Sequence, residues 1–421
     1  MSLLQSFRDM LGRRHTVRSH LWQSLANYIQ QGTALLLSVI LSRILTPSDF
    51  GEFAYASANV LLCLLPVAWS LASLVVADGG HTPELTAQAL RFGWWVVGAK
   101  AVLVLGLVAA LFFTGHHLTA GLCLLIGLPE SLREMNNVQR ATLEGAGLFR
   151  QNFMCALLGG LFSLILMIPA ARMGWGPYAL VFPSFIALIV EYWIFLRVTK
   201  RSIFIKPGFP FEKKLFRNGF WLWINGLSET AYARVDKWFA GKIFGAEVLG
   251  FYNRAFNFAP LSHLFLNSLM TNPTVVALVR CENAKARRCL FFKTAFLLGL
   301  AGAANWIFYA VASKPVILLL FGRQWLGAVP YFQAFAPLSL CYSIAYLPAA
   351  VLMATKRFHI LALVRVADVG LFLGCLLAMA TGITPITLAI LLQAYLVVQG
   401  LVSFWFCHDY FFEKKGHDGK V

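Results

Sequence analysis

The chain has 421 residues, 59% of them hydrophobic and only 13% charged, with a mean hydropathy of +0.70. No water-soluble globule has that composition. The formal net charge of +17 would suit a nucleic-acid binder, but its placement argues against one: most Lys and Arg fall in short polar clusters between apolar runs, where they set topology and meet anionic headgroups.

In chain order, the first residues place Leu3, Leu4, Phe7, Met10 and Leu11 on one helical face against Arg8, Arg13 and Arg14, which predicts a cytoplasmic interfacial helix over residues 1–21. No cleavable signal peptide is expected, because the first apolar run has full membrane length and no Ala-x-Ala-like site follows it. Apolar runs of about 20–25 residues then predict twelve spans, at 22–43, 53–76, 89–113, 118–143, 152–172, 176–198, 217–241, 248–273, 292–312, 328–354, 359–380 and 385–408. The basic stretch 199–216, with Pro207, Gly208 and Pro210, predicts a cytoplasmic linker between an N-terminal six-helix bundle (22–198) and a C-terminal one (217–408), before a cytoplasmic tail (409–421). The fold class expected is an all-α polytopic membrane protein. Lys and Arg concentrate in alternate connections, such as Arg197 to Arg217 and Arg280 to Lys293, which by the positive-inside rule puts both termini in the cytoplasm. The eight cysteines show neither a disulfide framework nor metal-ligand spacing, and no cofactor is expected.

The two halves echo each other. "SRILTPSDFGEFAYA" (42–56) and "GKIFGAEVLGFYNRA" (241–255) align without a gap when Gly51 is set on Gly250, pairing Arg43 with Lys242, Phe53 with Tyr252 and Ala56 with Ala255. The copies start six spans apart, so they cross the membrane in the same direction. That predicts two pseudo-symmetric bundles related by an axis along the membrane normal, around a central cleft that works by alternating access.

Together with "LLLFGRQWLGAVPYFQAFAP" (318–337), these motifs resemble the polysaccharide-transport (Wzx-type) oligosaccharide flippases, relatives of the lipid II flippases and the multidrug and toxin extruders. The resemblance covers essentially the whole chain. It implies transport of undecaprenyl-diphosphate-linked oligosaccharide from the inner to the outer leaflet of the bacterial inner membrane, with membrane lipids and a polysaccharide polymerase complex as partners. A monomer that is not an enzyme is expected.

A diphosphate-bearing substrate directs attention to charges inside the spans, each of which costs about 2.5–3.5 kcal/mol at the bilayer centre and should therefore face protein or water. Arg offers phosphate a planar fork and Lys a point charge. Arg133, Arg254 and Lys100 are the leading candidates for anion contacts, followed by Arg234 and Arg140. On the fourth span Glu130, Arg133, Glu134, Asn137, Arg140 and Glu144 recur at helical steps. They form either a cavity wall or a seam of internal pairs such as Glu130–Arg133 and Arg140–Glu144. On the seventh, Asn225, Glu229, Tyr232 and Asp236 share one arc while Arg234 faces away. Glu229, Asp236, Glu191 and Asp368 are candidates for ion coupling, because burial and neighbouring cations shift a carboxylate in opposite directions. Arg365 and Asp368, three residues apart, are expected to pair. Trp223 and Tyr232 would suit stacking on sugar rings. The first span carries only Asn27, Gln30 and Gln31 where lipid II flippases carry charges, a departure from those relatives. Two other readings fit a membrane protein of this size, a multidrug extruder and a polymerase or ligase acting on lipid-linked sugars. The excess of basic over acidic candidates disfavours the first. The lack of any outer-facing catalytic constellation or nucleotide-binding motif disfavours the second.

Overall fold

The computed structural model describes residues 14–67, 71–72, 83–145, 148–199, 213–261, 283–355, 357–378 and 382–412, with isolated positions at 206, 208 and between 270 and 281. The expected interfacial helix up to residue 13, most of the 199–216 linker and the tail beyond 412 lie outside these residues. All regular structure among the described residues is helical. The helices are α1 (Arg14–Ser42), α2 (Pro47–Cys63), α3 (Pro83–Phe113), α4 (His117–Gly145), α5 (Phe149–Arg172), α6 (Phe182–Thr199), α7 (Lys213–Phe244), α8 (Ala246–Phe258), α9 (Ala284–Leu320), α10 (Val329–Phe335), α11 (Leu338–Ala354), α12 (Phe358–Ala378) and α13 (Pro385–Phe412).

Ten of the expected spans coincide with described helices, while 53–76 and 248–273 are matched by α2 and α8 as far as Cys63 and Phe258 and lie in large part outside the described residues. Among the described residues six helices are long and apolar enough to cross a bilayer unaided, and Arg323–Phe335 with Leu338–Leu352 pass the same test together as a pair bent by 46°. α4 and α7 miss that test because they carry several charges, α8 because it has 13 residues, and α2 because it stops at Cys63 before a 3-10 turn, Leu65–Val67, that contains Pro66. Side chains such as Val102, Phe113, Phe296, Val311 and Trp405 are at least 70% exposed. That apolar outer surface is what a lipid-solvated bundle presents.

Contacts divide the chain into two units, Met1–Thr230 and Ala231–Val421, with the division falling inside α7. In the first unit α3 packs on α4, and α1 and α6 on α5. Gly93 lets α3 come close to α4, since a Cβ there would lie 2.7 Å from Met135 Cε. In the second unit α11 packs against α9 and α13. A Cβ at Gly400 would sit 2.6 Å from the Ile344 carbonyl oxygen. Small residues at such crossings let membrane helices gain van der Waals contact without an aqueous driving force.

The two copies of the repeat both begin helices after a tight turn, by different means. In the first, Thr46 is the N-cap of α2: its hydroxyl accepts from the Asp49 amide at 3.3 Å, while Asp49 Oδ2 accepts from the Thr46 amide at 2.8 Å. This is a capping box. The aligned position in the second copy is Gly245, whose φ of +85° lets the chain turn directly into α8. Gly51 and Gly250 are both buried one turn further on. Thr46→Ala should lower stability by about 1 kcal/mol, read as a reduced thermal-unfolding midpoint in detergent, and an unchanged midpoint would show that the box contributes nothing net.

Candidate functional site: intramembrane charges

The polar stripe on α4 divides among three surroundings rather than lining one wall. Glu134, only 8% exposed, turns toward α3 and residue Leu71. Its Oε1 accepts from the Leu71 amide at 2.9 Å, its carboxylate also bonds the Ala72 amide, and its Oε2 lies 3.9 Å from Lys100 Nζ. Residues 71–72 are helical, and the backbone N–H groups there need acceptors. With little water there to satisfy them, one carboxylate does so, and Lys100 balances its charge. Lys100 is itself 6% exposed. The structure therefore places this anion-contact candidate in a buried structural pair.

Nearly two turns along α4, Arg140 pairs with Glu191 of α6, and Asn136 Nδ2 donates to the other Glu191 oxygen at 3.3 Å and to the Leu188 carbonyl at 3.0 Å. Two candidates assigned to different roles, anion contact and ion coupling, thus meet each other. The Glu144 side chain, the partner suggested by spacing, lies outside the described residues. Arg133 differs from both: it pairs with Glu130 at 3.4 Å as expected, but its side chain is 44% exposed.

In the second unit Asp236 is fully buried. It accepts from the Tyr252 hydroxyl at 2.9 Å, and Lys237 Nζ lies 3.5 Å from each carboxylate oxygen. Lys237 also donates to the Ala233 carbonyl at 2.8 Å and sits 3.6 Å above the Phe256 ring. This knot ties α7 to α8. Tyr232, one turn away, stacks on Tyr395 of α13 with ring centroids 4.5 Å apart, so much of one of its faces is already covered by protein. Glu229 is exposed and Arg234 half-buried; the side chain of Asn225 lies outside the described residues.

Arg254 joins two of the sequence motifs. Its guanidinium lies 4.6 Å from the centroid of Trp325, 5.1 Å from Phe321 and 5.3 Å from Phe258, and the residue is 5% exposed. Phe321 and Trp325 are the aromatic residues of the Phe-Gly-x-x-Trp turn, and Phe251, beside Arg254 in the repeat, packs edge-on against Trp325 at 6.0 Å. Gly322 makes the turn possible with φ of +95°. A cation over several rings in a dry site is stabilised electrostatically by their quadrupoles. The motifs are thus the two halves of one packing unit, which spacing alone did not reveal.

One expectation is corrected. Asp368, 5% exposed, forms no ion pair among the described residues, and its Oδ2 meets no hydrogen-bond donor there. The pair with Arg365 expected from spacing is not formed. Three-residue spacing brings Cβ atoms within about 5–6 Å, yet Asp368 turns into the helix-packed interior while Arg365 stays half-exposed. Asn136, Lys237 and Tyr252 were absent from the candidates. Asn136 lies just off the charged stripe and carries no charge to draw attention, and Tyr252 reads in sequence as an aromatic of the repeat.

Residues 40–330 match the model of a family described as polysaccharide biosynthesis protein. The chain belongs to this family. Among curated proteins it is similar to the lipopolysaccharide biosynthesis protein WzxC of Escherichia coli strain K12, with 23% identity over 420 residues covering 93% of this chain and 81% of that protein. It is also similar to the teichuronic acid biosynthesis protein TuaB of Bacillus subtilis strain 168, with 28% identity over 157 residues, 36% of this chain and 32% of that protein. Among solved structures, it matches an inward-facing multidrug resistance MATE family transporter of the MOP superfamily with a TM-score of 0.64 at 13% identity, covering 92% of this chain and 94% of that one. A MATE structure in the straight conformation matches with a TM-score of 0.60 at 14% identity, covering 94% and 95%. The family member is therefore an all-α polytopic membrane protein with the fold of these transporters.

Proposed function

We propose that this family member is a Wzx-type flippase that moves undecaprenyl-diphosphate-linked oligosaccharide repeat units from the inner to the outer leaflet of the bacterial inner membrane by alternating access, for surface polysaccharide synthesis. The observation that carries the reading is the family match over residues 40–330. A curated lipopolysaccharide biosynthesis relative matched over nearly the whole chain supports it. The likeness to multidrug transporters, at 13–14% identity, carries the fold and not the substrate. In this reading the protein is a monomeric transporter rather than an enzyme, its termini are cytoplasmic, its two halves are the bundles 22–198 and 217–408, and a polysaccharide polymerase complex receives the product.

Within the proposal, Arg133 is the leading anion contact, because it combines a guanidinium with an exposed side chain at mid-span. The half-buried Arg234 follows it. Lys100 and Arg254 act by holding helices together, and Asp236 and Asp368 are the buried carboxylates suited to ion coupling. An inside-negative potential favours outward movement of an anion by about 2.3 kcal/mol per charge per 100 mV, so a two-charge headgroup crossing unaccompanied would gain about 4–5 kcal/mol.

The test is flipping of fluorescent undecaprenyl-diphosphate oligosaccharide in sealed proteoliposomes, followed by an impermeant quencher with a potential imposed in either sense. Protein-dependent flipping that follows the potential and slows at least tenfold in Arg133→Ala is expected. Movement of organic cations with no flipping of any lipid-linked sugar would overturn the reading.

A further inference from the structure

The Arg140–Glu191 pair borders a cavity of about 220 Å³ wholly within the first unit. Its walls come from four helices: Gln30 and Thr33 on α1, Arg140 on α4, Asn152 and Ser163 on α5, and Glu191 on α6. A volume left open among packed helices forfeits the dispersion contacts that apolar side chains filling it would make. Here the polypeptide keeps it open with small residues. Ala156, Gly159 and Gly160 form part of the wall, and Gly160 meets α1 so closely that a Cβ would fall 2.8 Å from the Thr33 methyl carbon.

We infer that this cavity is a subsite for one sugar ring of the lipid-linked substrate. The inference rests on the transporter reading and adds where a neutral part of the substrate is held. Three properties of the cavity argue for an uncharged polyol. The first is charge balance: Arg140 and Glu191 neutralise each other, and both Glu191 oxygens have partners in Arg140 and Asn136. An incoming phosphate would have to draw Arg140 away and strand a carboxylate of which only 14% is exposed. A cation would strand the guanidinium in the same way. Hydroxyl groups do neither, since they add to an existing pair as donors to the carboxylate and acceptors from the guanidinium.

The second property is donor capacity. A guanidinium has five N–H donors, and the Arg140 side chain is 34% exposed after pairing, so donors remain for ring hydroxyls. Gln30, exposed on α1, and Asn152 bring amides, each both donor and acceptor. That mixture suits hydroxyls of variable orientation better than a fixed anion. The third is size. The volume, about 220 Å³, falls below the range of about 300–1,000 Å³ for drug-sized ligands. It suits one six-membered ring rather than several, with the rest of the oligosaccharide extending out of it.

The test separates binding from transport. Equilibrium binding to the full chain in nanodiscs is measured for bare undecaprenyl diphosphate and for its conjugates with glucose, galactose and N-acetylglucosamine. The readout is the affinity ratio of conjugate to bare carrier. In the wild type at least one conjugate should bind tenfold or more tightly than the bare carrier. In Ala156→Phe, which fills the cavity, and in Gln30→Ala, which only trims its rim and should fold normally, that ratio should fall toward one. The wild-type ratio persisting in both variants would overturn the subsite while leaving the transporter reading intact, as would a ratio of one for every conjugate in a wild type that flips oligosaccharide; the cavity would then be a hydrated structural void. If no lipid-linked sugar is bound or flipped by any form, both readings fall together.

Discussion

Glu134→Ala is expected to destabilise the protein by about 3–5 kcal/mol, the range for breaking a buried ion pair from one side. The substitution leaves Lys100 charged, 6% exposed and without the carboxylate 3.9 Å away. It also removes the acceptor for the Leu71 amide, bonded at 2.9 Å. A buried donor left unsatisfied costs about 1–3 kcal/mol in itself. Glu134→Gln keeps an acceptor oxygen but not the charge and should fall between wild type and alanine. The double variant Lys100→Met with Glu134→Leu removes both charges and should recover much of the loss from the pair, though not the part owed to the amides. The measurement is the thermal-unfolding midpoint of each variant in the same detergent. If Glu134→Ala matched wild type, the carboxylate would contribute nothing net through Lys100 or the Leu71 amide. If the double variant were no better than Glu134→Ala, the amide bonds rather than the ion pair would carry the effect.

Trp325→Ala should cost a similar amount, about 3–5 kcal/mol for a large buried aromatic. Trp325 is fully buried, meets Phe251 edge-on and Phe321 at a tilt, and lies beneath the Arg254 guanidinium. Its loss opens a cavity and removes the nearest ring from a cation that has little exposure to water. Trp325→Phe keeps a quadrupole and part of the volume, so it should retain more than half the stability lost in alanine. Arg254→Met, which replaces the cation with an unbranched apolar chain, should be milder than Trp325→Ala, because the cage is then filled without a charge to stabilise. A Trp325→Ala variant with a wild-type midpoint would contradict the packing role. So would an Arg254→Met variant that stays fully stable yet loses all flipping; that result would return Arg254 to the substrate path.

The span pattern was legible in the sequence because a bilayer imposes a length and an apolarity on every crossing helix. Ten of the twelve runs predicted there coincide with described helices, and the other two begin in one. The repeat also marked out equivalent turns, Thr46 before α2 and Gly245 before α8, because capping and positive φ are local demands met by local residues. The Glu130–Arg133 pair was legible for the same reason: both partners lie on one helix at a spacing that brings them together. Where partners lie far apart in the chain, spacing could not choose among them. Arg140 took Glu191, fifty-one residues away, and Glu134 took Lys100 and the amides near Leu71. Arg254 took aromatics from a turn some seventy residues later. That charges lie inside the membrane and must be compensated follows from the residue pattern, since desolvation makes compensation unavoidable. Which partner compensates each depends on which helix faces meet, and helix packing is set by side-chain shape across whole interfaces rather than by any local signal.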